Sequence, residues 1–269
     1  MSDMFTFITQ LFSNIFSNLT PSNKELTNMN ETDTSRILED IPYLNNNNFK
    51  ELLHMVYKNG PDENIEKLSD SIFENLNKYE INTELRLSHF LSQIGHESGE
   101  LRYTEEIASG HAYEGRKDLG NTYPGDGKRF KGRGLIQLTG RYNYTRFSEY
   151  LNNSTILEQP DIISQDNNLT VLTAFYYWNR TKLNNFADRD NIRQVTRKIN
   201  GGYNGLSDRI RLYDLTKHSI SKIRIKTIQQ LLNTRYNSDL VEDGIYGPNT
   251  EKALVSNNLT INNWTELLG

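Results

Sequence analysis

The spacing of apolar residues along 49–98 constrains this chain more than any other feature. Ile65, Leu68, Ile72 and Leu76 step by three and four, and Leu87, Leu91 and Ile94 repeat the step in the next segment. That period puts each set on one helical face, and a strand, whose side chains alternate, cannot satisfy it. Asn82 or Thr83 is placed to cap the second helix. Further helical patterns fall at 144–151, 168–179, 191–199 and 208–217, and Leu135 to Leu138 is the only respectable short extended run near the centre. The stretch 110–134 is dense in Gly, with Pro124 and Asp126, and reads as a long ordered loop or a series of turns. The expected fold is mainly α-helical, with a polar cleft lined by that loop.

A length of 269 residues suggests one large domain and a small one. At 4–19, Phe5, Ile8, Phe12, Ile15 and Phe16 form an amphipathic stripe. Asp3 and the interrupting Thr6, Thr9 and Gln10 argue against a secretory signal, and docking on the body, a partner or a membrane surface is expected instead. A polar linker with Pro21 follows. The expected organisation is 1–40 as amphipathic segment and linker, 41–220 as the main domain and 221–269 as a small one. The chain has no Cys, which excludes disulfide frameworks, thiolate metal sites and Cys nucleophiles. A net charge of −4 disfavours nucleic acid as the main partner. No apolar run approaches the roughly 18 residues of a membrane span.

Carboxylates at the end of an apolar helix are the candidates for chemistry. Gly95-His96-Glu97-Ser98-Gly99-Glu100 closes the second helix, and Thr104-Glu105-Glu106 follows it. Partial desolvation there raises a carboxyl pKa and suits a general acid. Hydrolysis of a sugar bond needs a second carboxylate across the substrate, about 6.5–9.5 Å away in an inverting enzyme. Glu97 and Glu106 would face apart on one helix, but the break at Gly99 lets them face one another across a cleft, with Glu100 as a rival. The histidines at 54, 89, 96, 111 and 218 make no familiar ligand spacing, and no Gly-x-Ser-x-Gly elbow or Walker loop is present. The basic run 128–133 reads as loop structure.

The pattern His96-Glu97-Ser98-Gly99, Glu106, Gly132-Arg133-Gly134-Leu135-Ile136-Gln137-Leu138-Thr139-Gly140-Arg141-Tyr142-Asn143-Tyr144, Ile199-Asn200-Gly201-Gly202 and Asp208-Arg209 resembles glycoside hydrolase family 19. That family contains chitinases and many phage endolysins that cleave peptidoglycan. The resemblance runs from about Glu84 to Lys217. It implies a lysozyme-like, two-lobed helical catalytic domain and an inverting mechanism without metal or other cofactor. By the same resemblance Glu97 is the general acid and Glu106 the general base, with Glu114 and then Glu105 as lesser candidates for the base. Thr139 helps the base hold the attacking water. His96, Gln137, Tyr142 and Asn143 are implied to bind substrate, and Asn200 and Arg209 to support the base side, where an Arg would keep the base ionised. Plant members use disulfides; the loop Ala112-Tyr113-Glu114-Gly115-Arg116-Lys117-Asp118-Leu119-Gly120-Asn121 looks like the bacterial and phage branch.

Gln229, Leu231 and Leu232, then Asp243-Gly244-Ile245-Tyr246-Gly247-Pro248-Asn249-Thr250, then Ala253-Leu254 resemble the three-helix peptidoglycan-binding domain. The resemblance implies wall contacts at Asp243, Gly244, Tyr246, Gly247 and Thr250. Gly244 and Gly247 would permit turns closed to other residues, and Asn249 would cap a helix. About 49 residues without Cys or metal fold marginally alone, so packing against the main domain is expected to help. Together the resemblances imply an endolysin-type muralytic glycosidase, with a chitinase or an inactive wall-binding protein as alternatives. The expected partner is peptidoglycan or chitin, with a holin or delivery apparatus for release. The expected protein is a monomer made in the cytoplasm without a signal peptide and acting on the cell wall.

Overall fold

The computed structural model describes residues 41–268, so the stripe at 4–19 and its linker lie outside the described residues. In chain order the helices are α1 (Asn46–Val56), α2 (Asp62–Lys78), α3 (Glu84–Ser98), α4 (Asp126–Arg129), α5 (Arg141–Leu151), α6 (Thr155–Glu158), α7 (Ile162–Gln165), α8 (Asn167–Arg180), α9 (Asn184–Ala187), α10 (Ile192–Asn200), α11 (Leu206–Tyr236) and α12 (Pro248–Ser256). Among the described residues, extended pairing is limited to the bridges Glu105–Arg133 and Arg133–Leu138. The run expected to be extended at Leu135 to Leu138 is a tight turn, because Gly134 (φ 79°) and Gln137 (φ 54°) bend the chain back on itself.

Local sequence explains the helix starts. Asn45 opens α1 with a reciprocal capping box, accepting from the Asn48 N–H at 3.1 Å while Asn48 Oδ1 accepts from Asn45 N–H at 2.7 Å. Thr83, not Asn82, caps α3: its hydroxyl accepts from the Arg86 N–H at 3.1 Å.

The helix that ends in Glu97 is largely buried. Leu87, Phe90 and Leu91 of α3 are fully buried, and the Phe90 ring lies 4.6 Å from Phe175 and 5.3 Å from Trp178 of α8. Each such side chain contributes roughly 1.5–3 kcal/mol by leaving water. Gly99 ends α3 in the left-handed conformation (φ 61°), where glycine has no Cβ to clash. Left-handed backbone continues through Glu100 and Leu101. The Glu100 carboxylate fixes that bend, accepting from Asn59 N–H at 2.8 Å, Asn59 Nδ2 at 3.0 Å and Arg211 Nη2 at 2.9 Å. Glu100 thereby braces the bend after α3.

The boundary expected at 220/221 falls inside α11, a single helix of 31 residues that spans roughly 46 Å at 1.5 Å per residue. The pattern at 208–217 and the run holding Gln229, Leu231 and Leu232 are two stretches of this one helix. Its second half joins the body directly: Arg224 binds Glu84 at 2.7 Å, Lys226 binds Glu51 at 2.9 Å, and Trp264 meets Tyr43 edge-on at 5.6 Å. Ile223, Ile225, Ile228, Leu232, Leu254, Trp264 and Leu267 belong to the same buried cluster as Phe49 and Leu52. The C-terminal segment therefore shares the core of the body.

Gln229 of α11 shapes the turn-rich stretch that follows. Only 2% exposed, it donates through Nε2 to Asp243 Oδ1 (3.0 Å), Ile245 O (3.1 Å) and Thr250 Oγ1 (3.3 Å), and accepts from Gly244 N–H (2.9 Å). One turn on, Asn233 accepts from Leu240 N–H at 2.7 Å and donates to Leu240 O at 2.9 Å. Gln229→Leu takes away the side-chain partner of Gly244 N–H, Ile245 O and Thr250 Oγ1, at about 1–3 kcal/mol for a buried unsatisfied group, while Asp243 Oδ1 keeps the Ile245 N–H. Chemical denaturation should show that loss, with the C-terminal resonances in an NMR spectrum moving first.

Two of the residues implied to touch the wall serve the turn, and of them Thr250 is buried while Asp243 is exposed. Asp243 and Thr250 give their oxygens to Gln229, and Thr250 is 3% exposed. Gly244 (φ 71°) lies where a Cβ would sit 2.6 Å from the Lys222 carbonyl, so it is needed for the turn. Gly247 has an extended backbone (φ −123°) that any residue can adopt. Pro248 begins α12, so Asn249 lies inside the helix, not at its cap. Tyr246, 42% exposed beside Ile245 at 64%, remains outward.

Candidate active site

Glu97 occupies the last turn of α3, and the first turns of α11 supply its partner. Arg209, fully buried, binds Glu97 through Nη2 and Gln93 of α3 through Nη1. The Glu97 side chain is 7% exposed. Nearby on α8, burial pushes the Tyr177 phenol up, and the Glu97 charge adds to it. His96, the residue before, pairs through Nδ1 with Asp208 at 2.7 Å, and Asp208 is held below the usual carboxylate range by that bond. His96 Nε2 packs against Gly205, where a Cβ would approach it to 2.1 Å. His96 therefore joins α3 to the start of α11.

This corrects the expectation for Arg209. It was assigned to the base side, but it pairs with Glu97, the carboxylate assigned as acid. The placement follows from the crossing of α3 and α11, which brings positions 112 residues apart into contact. Glu106 has no such guanidinium partner to hold it ionised. Burial instead pushes its carboxyl up, against the pull of bonds from Gly132 and Tyr113 and the positive charges of Lys131 and Arg133.

Glu106 lies where the chain from α3 meets the Gly-rich segment. Its N–H donates to Gly132 O at 2.9 Å. Its Oε2 accepts from Gly132 N–H at 3.1 Å, and its Oε1 accepts from the Tyr113 hydroxyl at 3.0 Å. At 9% exposure the carboxylate is nearly enclosed. The position a Cβ would take on Gly132 is 3.3 Å from Glu106 Oε2, 3.3 Å from Thr139 Oγ1 and 2.7 Å from Gln137 Oε1. Glu106, Gln137 and Thr139 thus surround one small space that a glycine keeps open. The Thr139 hydroxyl donates to Gln137 O at 2.8 Å, which leaves its lone pairs free to accept.

The other expected residues divide. Tyr142, in the first turn of α5, is 37% exposed and available to a ligand. Asn143 is fully buried and donates to Thr139 O at 2.8 Å, so it supports Thr139 from behind, with its Oδ1 buried and without a hydrogen-bond partner. Asn200 closes α10 and is 5% exposed, with its Oδ1 buried and without a hydrogen-bond partner. Glu114 accepts from Gly125 N–H and Gly127 N–H at 2.9 Å or closer, closing the loop. Glu105 binds Lys131 at 3.0 Å and Arg133 at 3.1 Å. Both lesser candidates for the base are therefore engaged in structure. The basic run is likewise structural: Arg133, 2% exposed, also binds Tyr144 and Asp161. Tyr113 and Gln93 were not singled out as site residues, because their partners are fixed by tertiary contact.

Comparison with known proteins places these motifs. The family model for class I chitinases matches residues 82–196, which include Glu97, Glu106 and Thr139 but end before Asn200 and Arg209. A glycosyl hydrolase family 19 domain-containing protein of Haemophilus influenzae is 31% identical over 161 residues, covering 48% of this chain and 78% of that protein. An endochitinase of Arabidopsis thaliana is 34% identical over 125 residues, 43% of this chain and 39% of the plant enzyme, so the chain spans less than half of that relative. Chitinase C from Streptomyces griseus superposes with a TM-score of 0.52 at 22% identity, over 64% of this chain and 91% of that one. A bacterial family 19 chitinase gives 0.53 at 20% identity, over 64% and 93%. Identities this low establish a common fold.

Proposed function

The chain belongs to glycoside hydrolase family 19, and from that premise we propose that it is a muralytic glycosidase of the endolysin type, hydrolysing β-1,4 bonds between amino sugars of peptidoglycan. The observation that carries the glycosidase chemistry is the enclosed Glu106 with Thr139 and Gln137 around the space at Gly132, on a chain whose α3 ends in Glu97. Water held between Glu106 and Thr139 loses a proton to the carboxylate as it attacks the anomeric carbon. Glu97 gives its proton to the departing glycosidic oxygen. Arg209 holds the Glu97 carboxyl in place through Nη2. With attack and departure on opposite faces, the configuration inverts.

The preference for peptidoglycan rests on the C-terminal segment. Its likeness to a wall-binding domain, the outward Tyr246 and Ile245, and its fixed seat on α11 support a binding face held at a constant distance from the cleft. Such a face raises the local concentration of catalytic body at the wall. Action on the wall, after release by a holin or a delivery apparatus, belongs to the same reading. The chitinase reading is favoured by the plant relative, whose name is endochitinase.

Mass spectrometry of fragments from purified peptidoglycan and from chitin oligomers separates these readings. Reducing muropeptides heavier by one water are expected from peptidoglycan, and borohydride reduction then identifies the bond cut. Cleavage of chitin alone would establish a chitinase and leave the C-terminal face to another role. Binding to sacculi with no release from either substrate would leave a wall-binding protein.

A further inference from the structure

Tyr113 makes a contact that the proposed mechanism does not yet use. It lies in a short 3₁₀ turn (His111–Tyr113) of the Gly-rich segment, with its ring buried and 3% exposed. Its hydroxyl donates to Glu106 Oε1 at 3.0 Å, across seven residues of chain. The opposite oxygen, Oε2, faces Gly132 N–H and the space shared with Thr139 and Gln137. Tyr113 therefore grips the side of the carboxylate away from that space.

We propose that Tyr113 is a positioning residue for Glu106, and that through it the segment 110–129 sets the orientation and charge of the catalytic base.

The loop has no need of this hydroxyl for its own fold. Glu114 ties Gly125 and Gly127, and Asn121 accepts from Arg141 N–H at 2.8 Å while donating to the Tyr113 carbonyl at 2.9 Å. Arg141 also grips the buried Asp126 carboxylate through Nε at 2.8 Å and through Nη2. These bonds hold the backbone at Tyr113 whether or not the ring carries oxygen. The hydroxyl has Glu106 for its partner, and a hydrogen bond to a carboxylate is worth more than one between neutral groups. Burial, followed by the charge of Glu106, pushes the Tyr113 phenol up, so it remains a donor wherever Glu106 is ionised.

The direction of the effect follows. A donor to the carboxylate favours the charged form, so removing it raises the pKa of Glu106 further. A general base must be ionised, and activity then fails at a higher pH on the acid side. The other groups acting on Glu106 are the Gly132 N–H and the charges of Lys131 and Arg133. Lys131 is tied to Glu105 and to the Glu106 carbonyl, and Arg133 to Glu105 and Asp161. None of these loses a partner when the hydroxyl is removed.

The inference rests on the reading of Glu106 as base, and the experiment keeps the two apart. Tyr113→Phe, Glu106→Gln and the double variant are assayed in the full chain against whichever of purified peptidoglycan or chitin hexamer is cleaved. For Tyr113→Phe, a fall in kcat of about tenfold is expected on the acid side of the profile, where a carboxyl raised by about one unit is protonated. KM should be little changed, and the acid limb of kcat/KM should move up by about one pH unit. The thermal midpoint should stay near that of the parent, and adding Tyr113→Phe to Glu106→Gln should change nothing further. An unmoved acid limb with a correctly folded variant overturns the inference. A raised KM with kcat intact would also overturn it, as would full additivity in the double variant. Near-normal turnover in Glu106→Gln removes the reading of Glu106 itself.

Discussion

Glu97→Gln is expected to lower turnover by about 10²–10⁴-fold, the usual worth of a positioned general acid, while leaving the protein folded. The separation of the two effects comes from Arg209. Its guanidinium is fully buried and binds Glu97 and Gln93, so whatever replaces Glu97 must still accept a hydrogen bond. A glutamine keeps an acceptor oxygen for Arg209, although it loses the negative charge along with the exchangeable proton. Glu97→Ala removes the acceptor and leaves a buried cation unpaired, which costs roughly 3–5 kcal/mol. Steady-state kinetics and thermal unfolding of both variants check this: Gln should be inactive and stable, Ala inactive and much less stable. Near-normal turnover in Glu97→Gln would remove Glu97 from the mechanism.

Truncation after Ile220 is expected to abolish activity on soluble fragments as well as on intact walls. If 221–269 were a tethered module, only action on walls would weaken. The structure argues otherwise, because the cut falls inside α11. It removes Ile223, Ile225, Ile228, Leu232 and Trp264 from a cluster that also contains Phe49 and Leu52. It also releases Glu84, at the start of the helix that carries Glu97, from Arg224. Buried aliphatics contribute roughly 1.5–3 kcal/mol each, and a domain has only about 5–15 kcal/mol in hand. Losing several at once leaves little. Circular dichroism melting of the truncated chain, with hydrolysis of a soluble substrate measured in parallel, tests this. A cooperative melt near the parent midpoint with full soluble activity would show the body independent.

The exposed Tyr246 and Ile245 bear on the same question from the other side. If they form the wall-facing surface, they act on a segment whose position relative to the cleft is set by the long helix. The residues first assigned to that surface, Asp243, Gly244 and Thr250, serve the turn through Gln229.

The amino-acid sequence by itself determined the helical class, a cap at Asn82 or Thr83, the buried faces of α2 and α3, and the motifs by which the chain resembles its family. These depend on interactions three or four residues apart, which the order of residues states directly. Ile65, Leu68, Ile72 and Leu76 are all 3% exposed or less, as their spacing requires. Only the tertiary structure decided which carboxylate Arg209 serves, that Tyr113 reaches Glu106, that Asn143 stands behind Thr139, and that α11 runs unbroken through the expected boundary. Those pairings depend on how helices cross and loops fold back. Arg209 and Glu97 are 112 residues apart, and Arg211 and Glu100 are 111 apart. At such separations chain order carries no distance, and the crossing of α3 with α11 brings those partners together.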